Sequence, residues 1–269
     1  MFSLFGICFL AGCIGALLQG MVGIGTGIII VPTLTFILPY YHFPPDIAFH
    51  MAIATAMTAI AINSLTALIH HYHHNNIDWK LFRLIVGFST LGSAIGALIA
   101  AFINGYLLKI IFSVFLMSLA GYLLLFKKSH HEISETMPSS DATSVKLRCV
   151  GLGIGFIASF VGSAGGVLMV PFLRKLNYPM RYAVGTSTLI GLPIALAGSA
   201  IYIVLGSIKM PNSSATIGYL HWPALLAITL AGLFSAPLGV RLATKLPTLL
   251  LQRLFAFMML IIGLKMLNA

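Results

Sequence analysis

The chain has 269 residues, of which 59% are hydrophobic and only 7% charged, with a formal net charge of +10. A soluble domain carries roughly 25% charged residues, so the composition excludes one and indicates an integral membrane protein, with the lipid bilayer as its surroundings. The cations fall in short loops beside apolar stretches, where they report membrane orientation; no nucleic-acid partner is expected.

The first apolar stretch, about 3–38, is too long for one crossing and is interrupted by Gly20-Met21-Val22-Gly23-Ile24-Gly25-Thr26-Gly27, ahead of Val31-Pro32. Leu10-Ala11-Gly12-Cys13 superficially matches a cleavage site. However, a signal peptide needs positive charge before its apolar region, and the first Lys or Arg here is Lys80. The segment is expected to stay. Cys8, Cys13 and Cys149 lack metal-like spacing and read as packing residues.

Three spans of crossing length follow, at about 47–70, 80–103 and 107–126. His70-His71-Tyr72-His73-His74 ends the first of them. His70 and His74 would share a helix face there, a spacing compatible with metal, although such a tract is more often a solvated loop. Lys127 to Lys146 is the only polar linker of any length.

A second broken element follows at about 148–173, where Gly162-Ser163-Ala164-Gly165-Gly166 precedes Val170-Pro171. Spans at about 182–206, 222–244 and 250–267 complete the chain. An offset of 139 positions pairs Gly23 with Gly162, Gly27 with Gly166 and Pro32 with Pro171. At offsets of 131 and 143, Ala54-Thr55-Ala56 matches Gly185-Thr186-Ser187, Trp79 matches Trp222, Gly96 matches Gly239 and Phe112 matches Phe255. Residues Met210 to Tyr219 read as a loop insertion. The chain thus divides into a first membrane repeat (1–126), a polar linker (127–147) and a second membrane repeat (148–269).

Charge decides the expected topology. If each broken element were one crossing, the cations would divide seven to eight. If each is a hairpin, Lys80, Arg83, Lys127, Lys128, Lys146, Arg148, Arg174, Lys175, Arg181, Arg241, Lys245 and Arg253 share one side, against Lys109, Lys209 and Lys265. Positive residues collect in the cytoplasm, so the hairpin arrangement is expected. A hairpin plus three spans makes an odd number of crossings, which inverts the second half. The predicted fold class is an all-α polytopic membrane protein with two inverted repeats, each a Gly-broken helical hairpin plus three transmembrane helices. It would lie in the cell (inner) membrane with a cytoplasmic linker and both termini outside.

Unwound backbone inside a membrane must line a cavity or be buried in protein. Glycine permits it and lets a ligand approach, and a restarting helix points free amides and its positive dipole end at anions. The expected substrate-binding residues are Gly23, Gly25, Thr26, Gly27, Thr55, Gly162, Ser163, Gly165, Gly166, Thr186 and Ser187, with Pro32 and Pro171 as structural hinges. Thr58, Thr188, Gln19 and Asn63 are further polar groups in apolar segments. The acids Asp46, Asp78, Glu132, Glu135 and Asp141 all fall in predicted loops, whereas a cation pump embeds ionisable groups in its spans. The expected partner is therefore a small anionic substrate. A homo-oligomer is left open, and no catalytic residue, metal or cofactor is expected. An intramembrane hydrolase would need a partner for His50, and a metal or pH sensor would rest on the His70–His74 loop.

These features together resemble the sulfite exporter TauE/SafE family of membrane permeases. The likeness covers nearly the whole chain: its size, its duplicated halves, the Gly-rich run and Val-Pro in each, and Gly185-Thr186-Ser187. The family's glycine triplet is altered here by Thr26 in the first run and Ala164 in the second. The resemblance implies a secondary transporter, not an enzyme, that exports sulfite or an organosulfonate as its two halves rock.

Overall fold

In lipid, a chain must satisfy its own amides, and an α-helix does so within one segment. The computed structural model describes residues 2–22, 26–73, 75–125, 144–163, 165–210, 213–243 and 248–268. Ten α-helices account for nearly all of these. They are α1 (Phe2–Val22), α2 (Gly27–Ile37), α3 (Pro45–His73), α4 (Trp79–Phe102), α5 (Gly105–Leu125), α6 (Ser144–Val161), α7 (Gly166–Lys175), α8 (Met180–Lys209), α9 (Trp222–Ala243) and α10 (Thr248–Asn268). Of these, α3, α4, α5 and α8 are long and apolar enough to cross a bilayer. The protein is an all-α polytopic membrane protein. Within the predicted insertion, Thr216–Ile217 pairs antiparallel with Leu220–His221 in a small hairpin, an element the apolar pattern gave no sign of.

Both predicted interruptions occur. In the first, α1 stops at Val22 and α2 restarts at Gly27; in the second, α6 stops at Val161 and α7 restarts at Gly166. The first broken element folds back on itself. Ser3 Oγ, at the start of α1, lies 2.6 Å from the hydroxyl of Tyr41, which ends the 3-10 turn after α2. At about 1.5 Å per residue, α1 reaches roughly 31 Å and α2 only roughly 16 Å, so the returning arm is short.

The long helices α3 and α8 lie antiparallel. His50 stacks on Tyr219 beyond the end of α8, Met57 meets Gly198, Ala61 packs with Ala195, and Asn76 beyond α3 abuts Gly185. By contrast, α4 and α6 run parallel, with Gly151 on Ile85, Gly155 on Ser89 and Ser159 on Ser93. The principal packing partners are exchanged between the chain halves: α1 lies on α9 and α6 on α4, while α3 meets α8 and α5 meets α10. The matching extends to residues, since Gly12 contacts Ile228 and Gly151 contacts Ile85. The core centres on α2 and α3, where Ile28, Ile30, Val31, Leu34, Met51, Ile53 and Met57 are fully or almost fully buried.

Candidate functional site

The two glycine runs meet backbone to backbone. A side chain on Gly27 would collide with the Gly162 carbonyl, and one on Gly162 would collide with Val31 and crowd Ile53 of α3. Gly162 ends α6 at φ +62°, with the Ser163 N–H returning 3.1 Å to the Ala158 carbonyl. This six-to-one closure requires a left-handed residue, hence glycine. Gly165 has φ +72° and lies against Ile194 of α8 and Ile154 of α6. The hairpin tips are thus wedged where α3 and α8 cross.

At both tips a helix begins. The first intrahelical bonds of α2 run from Ile29 and Ile30 to the Thr26 carbonyl, and those of α7 from Leu168 and Met169 to the Gly165 carbonyl. The amides of Gly27 and Ile28, and of Gly166 and Val167, therefore precede the helical ladder. Thr26 is buried against Gly15 of α1. Among the described residues, Thr26 Oγ1 and Asn63 Oδ1 are buried oxygens without a hydrogen-bond partner. A buried hydroxyl normally finds one. Ile60, one helical turn before Asn63, touches Gly27, so the two oxygens belong to neighbouring turns around the meeting point. Asn63 also packs on Gly232 of α9, and rotating its amide presents an N–H donor instead of the oxygen.

The other expected residues are placed as follows. Gly23 and Gly25 lie outside the described residues. Ser163 is buried beside Gly162. Pro32 and Pro171 stand inside α2 and α7, where each removes one helical N–H. Ser187 and Thr188 donate to the Val184 carbonyl, and Thr58 to that of Ala54; these hydroxyls bond their own helices.

Thr55 and Thr186 hold matching positions. Thr186 Oγ1 accepts the Asp78 N–H at 2.9 Å, and Thr55 Oγ1 accepts the His221 N–H at 3.1 Å. Each threonine thus grips the residue before a tryptophan that opens a helix of the other half. Asp78 caps α4 through the amides of Lys80 and Leu81, and its second oxygen accepts from the Tyr178 hydroxyl at 3.0 Å. At the opposite end, His221 Nδ1 accepts the Ala224 N–H at 3.2 Å, and Phe43 meets its ring edge-on. Burial and the Asp78 carboxylate push the Tyr178 phenol up. Burial holds His221 down at about 4.

Sequence reasoning missed these caps, and it missed a buried hydroxyl cluster. Ser93 Oγ donates to the Ile194 carbonyl at 2.7 Å and lies 2.9 Å from Ser159 Oγ, while the Tyr202 hydroxyl donates to the Ser159 carbonyl. Pro193, beside Ile194, stands inside α8 there. A proline within an apolar run was the available signal. Among the described residues, the ring nitrogens of His50 meet backbone carbonyls, with Nδ1 3.2 Å from that of Asp46 and Nε2 3.2 and 3.1 Å from those of Ala100 and Ile103. Those contacts do not make a nucleophile–base pair.

Crossing helices and interrupted apolar arms whose glycines meet at the junction describe a polytopic membrane transporter. The family model for sulfite exporter TauE/SafE matches residues 8–266, and the chain belongs to that family. A "probable membrane transporter protein" of Haemophilus influenzae is 29% identical to it, covering 99% of both chains. A second, of Methanocaldococcus jannaschii, is 29% identical over 97% of this chain and 94% of its own. A third, YunE of Bacillus subtilis, is 25% identical over 96% of each. No solved structure matches the chain.

Proposed function

We propose that the protein exports a small sulfur-containing oxyanion, sulfite or an organosulfonate, and that the anion binds where the two hairpin tips meet. The observation that carries this reading is the unpartnered, buried Thr26 hydroxyl beside amides that precede a helical ladder. An oxyanion accepts from both kinds of donor and is favoured at a helix N-terminus. The described acids, Asp46 and Asp78, stand at helix starts and leave the tips without a competing carboxylate. Family membership supports sulfur oxyanions over other anions. The amides around Gly27 and Gly166, Thr26, Ser163 and the Asn63 amide would hold the substrate. Thr55 and Thr186 would position the helices around it. The antiparallel α3 and α8 support inverted repeats, and the cation distribution supports a cytoplasmic linker with both termini outside.

Counterflow in proteoliposomes tests the proposal with sulfite, an organosulfonate, thiosulfate and sulfate. Sulfite or the sulfonate should exchange, and Gly27→Leu or Gly166→Leu should abolish exchange in protein that still inserts. Normal sulfite flux in both variants would overturn the site. Exchange of sulfate alone would overturn the substrate.

A further inference from the structure

Away from the hairpin tips, the parallel N-terminal ends of α4 and α6 frame a groove of about 330 Å³ lined by Lys80, Arg83, Leu84, Gly87, Phe88 and Arg148. Three cations converge there. Among the described residues none of them has a carboxylate partner: the nearby Asp78 carboxylate is occupied by the α4 cap and Tyr178. Arg148 lies over the Phe88 ring, 5.6 Å from its centroid. Like charges crowd one another, and cations at helix starts oppose the positive end of the dipole. An anion in the groove relieves both.

The walls below the cations are apolar. Phe88, Leu91, Ile95 and Leu98 are all exposed, and their spacing of three and four residues lines them up along one face of α4. Leu152 continues the exposed apolar surface on α6. A charged mouth above a greasy track matches a lipid, with its head in the mouth and its acyl chain on the track.

We infer that this groove is a binding site for the phosphate headgroup of an anionic phospholipid. Lys80, Arg83 and Arg148 take the phosphate, and the Phe88–Leu98 face takes a chain. The site is separate from the hairpin tips and does not depend on what the protein transports. Its ligand is the lipid, not free phosphate, because the apolar track offers nothing to a soluble anion.

Native mass spectrometry of delipidated protein tests the inference, with titrations of phosphatidylglycerol, phosphatidylcholine and glycerol phosphate. The wild type should retain phosphatidylglycerol about tenfold more tightly than phosphatidylcholine, and glycerol phosphate should not displace it. K80Q/R83Q/R148Q should lose that preference, Arg148→Gln alone should weaken it, and Lys109→Gln should leave it intact. Melting in phosphatidylcholine checks that the variants are folded. Unchanged phosphatidylglycerol binding in the triple variant would overturn the site. Glycerol phosphate binding as tightly as the lipid would overturn the assignment to lipid.

Discussion

At single residues, the close approach of the hairpin tips leaves little room for change. Gly162→Ala adds a methyl against Val31 at positive φ, and should cost about 1–2 kcal/mol from the backbone conformation alone, seen as a lower melting temperature. Thr26 should behave oppositely. Its hydroxyl has no partner among the described residues, so Thr26→Val removes an unmet polar group and keeps the shape. Stability should hold or rise by up to about 1 kcal/mol, while sulfite counterflow falls about tenfold, the loss of one hydrogen bond to a charged group. A destabilised Thr26→Val protein with full flux would remove the hydroxyl from the site.

Between elements, the capping threonines are the most exposed to test. Thr186→Val leaves the Asp78 N–H without its acceptor, which should cost about 1–3 kcal/mol. Thr186→Ser should restore most of it. The matching cap at His221 adds a pH dependence. Its pKa falls from 6.5 to about 4 on folding, so the neutral ring favours the folded state. That stability is fully present above 6.5 and is lost as pH falls from 6.5 towards 4. Protonation of Nδ1 would also end its bond to Ala224. His221→Asn keeps a capping acceptor and should flatten the fall in melting temperature over that window.

This scale also shows what could be read from the residues alone. Hydropathy and glycine placed every helix to within a few residues, because lipid sets span length and breaks need glycine. The caps were not legible. Thr186 and Asp78 lie 108 positions apart, Thr55 and His221 166, and local pattern carries no sign of so distant a partner. The repetition that drew attention to Thr55 and Thr186 corresponds to matching backbone partners. Repeated polar residues reflect shared architecture as readily as shared ligand contacts. The small hairpin at Thr216–His221 was hidden for a similar reason, being too short to show alternation.

Over the whole molecule, the packing changes how movement should be imagined. Each half lends a helix to the other, α1 to α9 and α6 to α4, so rocking of one chain half against the other would tear both pairs apart. The seam between α3 and α8 is the better sliding surface. In a background without Cys8, Cys13 and Cys149, a disulfide between Gly12→Cys and Ala231→Cys should leave transport near wild type, whereas one between Ala61→Cys and Ala195→Cys should stop it. Equal inhibition by both would make α1 and α9 separate bodies. Labelling at both termini from outside the cell checks the proposed orientation.

The two helix-capping sites share one geometry but not one chemistry. One carries a carboxylate, Asp78; the other carries an imidazole, His221. Protonation of the His221 ring removes its Nδ1 acceptor from the start of α9, while its backbone N–H keeps its bond to Thr55. On the proposed orientation this imidazole lies at the exterior end, so a drop in external pH would weaken the start of α9.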